Sequence, residues 1–245
     1  MVVGVIAGSG LSFLRPEGEW FESPTPYGPA LLARTVLGDT NAVMVRRHGP
    51  QSSIPPHLVN YRANLYALRS LGARHVIATA AVGSLRKNLD PGTLAVIGDF
   101  IDFTKRRECT VYDSPGQTVV HTDFTVPYCP EVSSALEHGL AASGTAPGDR
   151  VTYLCVDGPR YETPAEIRMF AHWGADVIGM TGVPEVVIAR ELGICYSALA
   201  IVTNYGAGIL SEPLSHTEVL RIVDERRGLI RDTIERAAGR IEGSH

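Results

Sequence analysis

Short apolar runs rich in β-branched residues recur along the chain, at residues 2–7, 75–80, 94–97, 151–156, 176–178 and 195–203. Runs of this kind without polar alternation suit strands buried on both faces. Helical patterns lie between them. Residues 55–72 set Leu58, Tyr61, Leu65 and Leu68 at three- and four-residue spacing, with Pro at the start and Leu-Gly at the end. Residues 163–173 open T-P-A-E, with a Thr cap, Pro in the first turn and Glu at the third position. Residues 215–238 open S-H-T-E and form the longest amphipathic stretch, read as one closing helix. Strands alternating with helices predict an α/β fold with a mainly parallel sheet covered on both faces. Leu94–Asp102 and residues 118–130 are less regular, read as antiparallel additions or loops. With no repeat, low-complexity tract or linker, residues 1–245 are read as a single domain.

Of 245 residues, 44% are hydrophobic and 20% charged, which excludes disordered and collagen-like classes. The net charge of −4, with 22 basic against 26 acidic residues and no basic run, argues against nucleic acid. A small anion stays open, because a few backbone amides and one Arg can hold it. No apolar stretch reaches the ~18 residues of a membrane helix, and MVVGVIAGSG lacks a signal-peptide pattern, so a cytoplasmic protein without a membrane partner is expected. Cys109, Cys129, Cys155 and Cys195 show no CxxC and no paired spacing with His. They are read as small buried hydrophobes rather than a disulfide framework or a metal site.

Candidate chemistry sits where the runs end. Gly8-Ser9-Gly10 follows the first run, where glycines let backbone approach an anion and Ser9 adds a hydroxyl. Phe13 breaks GxGxxG, so a dinucleotide site is not indicated, and a plain tight turn serves equally. Arg47-His48-Gly49 can clamp an oxyanion, the guanidinium binding phosphate through two parallel bonds. Asn60-Tyr61-Arg62-Ala63-Asn64 and Ala80-Ala81-Val82-Gly83-Ser84 follow, both open to a packing explanation. In Gly158-Pro159-Arg160-Tyr161-Glu162-Thr163 an aromatic ring beside a carboxylate can stack on a heterocycle and accept its N–H. Gly179-Met180-Thr181-Gly182 and Val183-Pro184-Glu185 offer an apolar sugar seat and a hydroxyl, and the plain alternatives across this and the preceding segment are a core Tyr161, a solvated Glu162 and a core Met180. Val202-Thr203-Asn204-Tyr205-Gly206 places an amide able to read a base edge.

Taken in order, these segments resemble the trimeric purine nucleoside phosphorylase and methylthioadenosine phosphorylase family, from about residue 3 to residue 219. The resemblance implies one α/β domain with a mixed, mostly parallel, partly barrel-like sheet flanked by helices. It implies cleavage of a purine nucleoside by inorganic phosphate as co-substrate, with no metal or organic cofactor. The assembly implied is a homotrimer or a dimer of trimers. Carried over, Ser9, Arg47, His48, Ala80, Ala81 and Thr181 form the phosphate site, with Arg47, His48 and Asn204 catalytic. Ala80 stands where methylthioadenosine phosphorylases often have Thr. Tyr161, Glu162, Met180, Asn204, Tyr205, Gly206 and His216 line the nucleoside site, and His121 reaches a neighbouring subunit's pocket. Ser52 departs from the pattern, many relatives having His there.

Chemistry then separates the sub-branches. A 6-oxopurine presents an acceptor O6 and an N1–H donor, which suit an amide and a carboxylate. Asn204 and Glu162 supply that pair, where adenine-type relatives carry Asp and commonly Ser. A carboxylate facing O6 would cost several kcal/mol. His216 falls where nucleoside phosphorylases hold a 5′-hydroxyl, whereas methylthio-specific relatives have a small apolar residue. Inosine and guanosine are thus the expected substrates. The rivals are a methylthioinosine or methylthioadenosine phosphorylase, a non-catalytic nucleoside-binding protein, and a hydrolytic nucleosidase.

Overall fold

The computed structural model describes residues 2–114, 116, 118–210 and 215–243. The first half runs β1 (Val2–Ala7), β2 (Phe21–Ser23), β3 (Ala30–Leu37), β4 (Thr40–Arg46), α1 (Tyr61–Ser70), β5 (Ala73–Ser84) and β6 (Leu94–Asp102). The second runs α2 (Pro130–Ala142), β7 (Val151–Cys155), α3 (Pro164–His172), β8 (Val177–Gly179), α4 (Gly182–Glu191), β9 (Cys195–Tyr205), α5 (His216–Glu225) and α6 (Arg227–Glu242). The nine strands of the described residues form one sheet ordered β2-β3-β4-β1-β5-β8-β7-β6-β9, and β9 returns to pair with β5. Five strands therefore close a ring, and the other four extend from it as an open wing. Pairings β1/β4, β1/β5, β5/β9, β6/β7 and β7/β8 are parallel, while β2/β3, β3/β4, β5/β8 and β6/β9 are antiparallel. The sheet is mixed, mostly parallel and partly barrel-like.

Strand alternation divides the core. On β1, Ile6 joins Val43, Val45, Leu65 and Leu68 under α1. Val3 and Val5 face the other way, onto Met44, Leu136, Ile230 and Ile234 under α2 and α6. Each fully buried Val, Leu or Ile contributes about 1.5–3 kcal/mol. Burial on both faces is why the runs read as continuously apolar. Leu94–Asp102 is a strand, antiparallel to β9 through Leu94–Val96 and parallel to β7 beyond, so it serves as an antiparallel closure of the ring. No helix of the described residues is long and apolar enough to cross a membrane.

Three expectations change. The 215–238 stretch is two helices, broken at Arg226, because α5 packs on β9 while α6 packs on α2 and the two apolar faces diverge. The 55–72 pattern splits into a 3-10 turn at Pro56–Leu58 and α1, whose N-cap is Asn60 accepting from the Ala63 amide at 3.0 Å. Cys129 and Cys195 form a disulfide joining the start of α2 to the start of β9. Pairing depends on the fold bringing positions 66 apart in sequence together, which spacing alone does not show. Of the other two cysteines, Cys155 is the small buried thiol expected, its pKa pushed up to about 11 by burial, and Cys109 is exposed.

Candidate active site

The carboxyl ends of β1, β4, β5 and β9 open into a cavity of about 780 Å3. Such strand ends are where α/β folds bind ligands. Ser9, Arg47, His48, Ala81 and Thr181 line it, as do Tyr161, Glu162, Met180, Asn204 and His216. Residues far apart in sequence are thus brought to one concave surface.

Arg47 is 2% exposed. Its Nε and Nη2 donate to the Glu185 carboxylate at 2.7 and 2.6 Å, and Nη1 donates to the Thr79 carbonyl at 2.7 Å. Tyr196 donates its hydroxyl hydrogen to the same carboxylate at 2.7 Å. Burial opposes the guanidinium charge, but Glu185 outweighs it and the Arg47 pKa is raised. The fork expected on phosphate is therefore turned onto Glu185, and one N–H on each of Nη1 and Nη2 stays outside these bonds in a residue that lines the cavity. Gly8 permits this packing, since a Cβ there would meet the Thr79 carbonyl at 2.8 Å and Arg47 Nη1 at 2.9 Å.

His48 Nδ1 lies 2.8 Å from the Ile54 carbonyl, which can only accept, so that nitrogen carries the proton. Burial, with the Arg47 charge, lowers the His48 pKa. Neutral His48 then keeps Nε2 as an acceptor. Thr181 stands at the N-cap of α4 with no side-chain cap bond, so its hydroxyl is not spent on the helix. The Tyr153 hydroxyl instead accepts from the amides of Thr181 and Gly182, both at 3.1 Å.

On the opposite wall Glu162 is buried, and burial raises its pKa. Asn204 Oδ1 accepts from the Thr203 hydroxyl at 2.9 Å, and one Nδ2 hydrogen goes to the Tyr205 carbonyl at 2.9 Å. The second amide hydrogen remains for a ligand. Tyr161 is partly exposed at the cavity rim, where burial raises its pKa. Met180 packs over Gly158, whose φ of +65° and close sulfur contact both favour the absence of a Cβ. His216 is the first residue of α5, and Ser215 caps by accepting from the Thr217 amide at 3.2 Å.

Four expected site residues do not line the cavity. Ala80 is packed into the core under the helices, because its neighbour Ala81 takes the open side of the strand. Tyr205 swings outward to bond Asp90. Gly206 packs against Ile167 and gives its amide to the Ser84 carbonyl at 2.8 Å. His121 is exposed and outside its own chain's cavity. Ser52, the departure from pattern, does line it, at a φ of +54°.

Three supporting residues escaped the sequence reading. Glu185 stands in Val183-Pro184-Glu185 with no role assigned to it, although one carboxylate inside the apolar string V-P-E-V-V-I-A signals a buried partner. Tyr153 lies inside the apolar run 151–156, where nothing in the sequence sets it apart from any strand aromatic. Arg107 is buried and donates to the carbonyls of Val183 at 2.8 Å, Asp157 at 2.9 Å and Val156 at 3.2 Å. It ties the loop that contains the cis bond Gly158-Pro159 to the start of α4, which contains the cis bond Val183-Pro184.

A model of the phosphorylase superfamily matches residues 2–238, and the chain belongs to that superfamily. A protein of Moorella thermoacetica named probable 6-oxopurine nucleoside phosphorylase is 48% identical over 87% of this chain and 82% of its own length. One of Methanothermobacter thermautotrophicus named probable S-methyl-5′-thioinosine phosphorylase is 43% identical over 96% and 83%. The solved structure of methylthioadenosine phosphorylase from Schistosoma mansoni in complex with adenine superposes with a TM-score of 0.93, 31% identity, and coverage of 99% and 92%.

Proposed function

We propose that the chain catalyses phosphorolysis of 6-oxopurine nucleosides, inosine and guanosine, to free base and ribose 1-phosphate. The observation that carries this is the pair on the base wall: a buried carboxylate, Glu162, beside an amide, Asn204, with one donor unspent. That pair matches N1–H and O6, whereas a 6-amino group would bring its donor to the Asn204 N–H. The superfamily membership and the names of the relatives support the same reading.

In this reading Ser9, Thr181, the amide of Ala81 and the outer N–H groups of Arg47 hold phosphate under C1′. Neutral His48 accepts from the hydroxyl of monohydrogen phosphate. Met180 lies under the ribose, and Tyr161 stacks on the base. As the C1′–N9 bond breaks, its electron pair passes to the purine, and Asn204 supports the ring as N7 takes a proton from solvent. Phosphate oxygen then bonds C1′ from the opposite face. The rate gain is positioning and electrostatic stabilisation of the cationic sugar. The reaction as read uses no metal or organic cofactor.

The reading extends to a cytoplasmic homotrimer serving purine salvage, with His121 of one subunit near the next subunit's ribose. Light scattering tests the assembly, an active monomer being the contrary result. The main test is a panel of inosine, guanosine, adenosine, methylthioadenosine and methylthioinosine, with and without phosphate. Turnover of inosine and guanosine that stops without phosphate is expected. Turnover that continues would mean a nucleosidase.

A further inference from the structure

The opposite end of the ring holds a second group of chemistry-bearing side chains. His75 near the start of β5, Cys195 at the start of β9 and Glu131 in the first turn of α2 bring ligating atoms within 4.8 Å of one another. Cys129, which caps α2, is bonded to Cys195, so its sulfur lies beside the group. His75 and Cys195 are register partners on parallel strands. The Cys129 amide donates to the Tyr196 carbonyl at 2.8 Å, which pins the cap of α2 to β9. One turn further, Ser133 and Ser197 share a buried hydroxyl contact at 2.8 Å. The group thus stands on rigid elements rather than on a loop.

We propose that opening the Cys129–Cys195 disulfide converts this corner into a four-ligand site for a thiophilic divalent cation of the zinc class. A dithiol supplies two electrons and two protons, becoming a disulfide itself, and leaves two cysteine thiols. Binding the cation releases both thiol protons to solvent. The thiolates of Cys129 and Cys195, an imidazole nitrogen of His75 and a carboxylate oxygen of Glu131 then complete the shell.

Geometry and ligand chemistry agree. Two ligand atoms at about 2.0–2.1 Å from a tetrahedral ion stand roughly 3.3 Å apart, and His75 Nε2 and Glu131 Oε2 are 3.2 Å apart already. Two sulfurs, one nitrogen and one oxygen as donors select zinc over magnesium or calcium. While the sulfurs are bonded to each other they carry no charge, and two protein ligands are left. The disulfide therefore closes the site and reduction opens it. The catalytic cavity lies at the other end of β5, six residues from His75 to Ala81, about 20 Å at strand rise. The inference does not depend on the proposed reaction.

The test is a Co2+ titration of the full chain, oxidised and after dithiol reduction with the dithiol removed by desalting under argon. The reduced protein is expected to bind one equivalent per chain, with the visible bands of a tetrahedral site and sulfur-to-metal absorption in the near ultraviolet. Zn2+ should displace it, and the oxidised protein should show neither band. Cys195→Ser, which leaves Cys129 as the one thiolate ligand, should lower the near-ultraviolet intensity. The exposed Glu131→Gln, which leaves the core untouched, should weaken binding at least tenfold while keeping that absorption. Equal binding by oxidised and reduced protein overturns the proposal. So does unchanged affinity in Glu131→Gln, which means two thiols binding alone. Far-ultraviolet circular dichroism follows the fold, and a reduced chain that loses its helical signal and does not regain it with Zn2+ also overturns it.

Discussion

The two walls of the cavity handle their polar groups in opposite ways. On the phosphate wall the strongest charge is neutralised inside the protein, with Arg47 forked onto Glu185 and Glu185 also held by Tyr196. On the base wall Glu162 is buried without such a cation, and Asn204 keeps one hydrogen unspent. The first arrangement is complete before any ligand arrives, and its work is to hold shape. The second is completed by the ligand, and so can discriminate between ligands. Rigidity and specificity are divided between two sides of one cleft.

The largest break in that comparison is predicted at Glu185. Removing one partner of a buried ion pair strands the other, which typically costs 3–5 kcal/mol. Glu185→Ala should lower stability by about that amount, read as a shift in the urea midpoint, and should raise the phosphate KM more than the nucleoside KM. Stability within about 0.5 kcal/mol of wild type, the range of ordinary surface changes, would show that Arg47 does not depend on Glu185.

The base wall should respond in selectivity instead. Asn204→Asp removes the donor to O6, and inosine turnover should fall while some adenosine turnover appears. An unchanged inosine-to-adenosine ratio of kcat/KM would remove Asn204 from the base edge. Glu162→Ala should lose roughly 1–3 kcal/mol of purine binding, the cost of leaving a buried donor unpaired. Its thermal stability should hold or rise, because a buried carboxylate is removed along with its desolvation cost. Loss of stability matching that of Glu185→Ala would mean the two walls are built alike.

How much of this the chain displays in advance depends on the range of the interaction. β1 is legible to the residue, because burial on both faces leaves an uninterrupted apolar run. The α3 capping box is equally legible, its Thr163 and Glu166 bonds lying within one turn. α4 shows no helical period because nearly all of its circumference is buried, so no polar face marks the pattern. The site motifs stand out as strand-end clusters, and their order carries the family resemblance. What they do not display is partnership at long range. The Arg47–Glu185 pair spans 138 positions, and the Cys129–Cys195 disulfide spans 66, so both exist through the closure of the ring. Tyr205 and Gly206 follow Asn204 directly in sequence, but the strand turns them away from the cavity.

A smaller effect is expected at the 5′ end of the sugar. His216 lines the cavity at the first turn of α5, beside Val219 and Leu220. A single neutral hydrogen bond is worth about 0.5–1.5 kcal/mol. His216→Val should therefore shift the inosine-to-methylthioinosine ratio of kcat/KM by about tenfold or less toward the thioether, with phosphate KM unchanged. A wild type that used methylthioinosine far better than inosine would reverse the assignment of this residue and leave the phosphate wall untouched.

The smallest effect is a difference in pH dependence between the walls. His48 has its pKa lowered, first by burial and then by Arg47. Its folded form binds fewer protons than the unfolded chain across the interval below the ordinary histidine value of about 6.5. Stability should then fall as pH drops from about 6.5 toward the lowered value, and level off beneath it. Glu162 has its pKa raised by burial, so its folded form binds more protons than the unfolded chain. Its contribution should fall as pH rises through the ordinary carboxylate range to the raised value, the opposite sign. Melting temperatures of wild type, His48→Gln and Glu162→Gln between pH 4 and 8 separate the two. His48→Gln should flatten the decline on the acid side of about 6.5, and Glu162→Gln should remove the loss that sets in as pH rises through the carboxylate range. If His48→Gln left the acid-side slope unchanged, the ring would be titrating as a solvated histidine, and burial would not be what keeps it neutral.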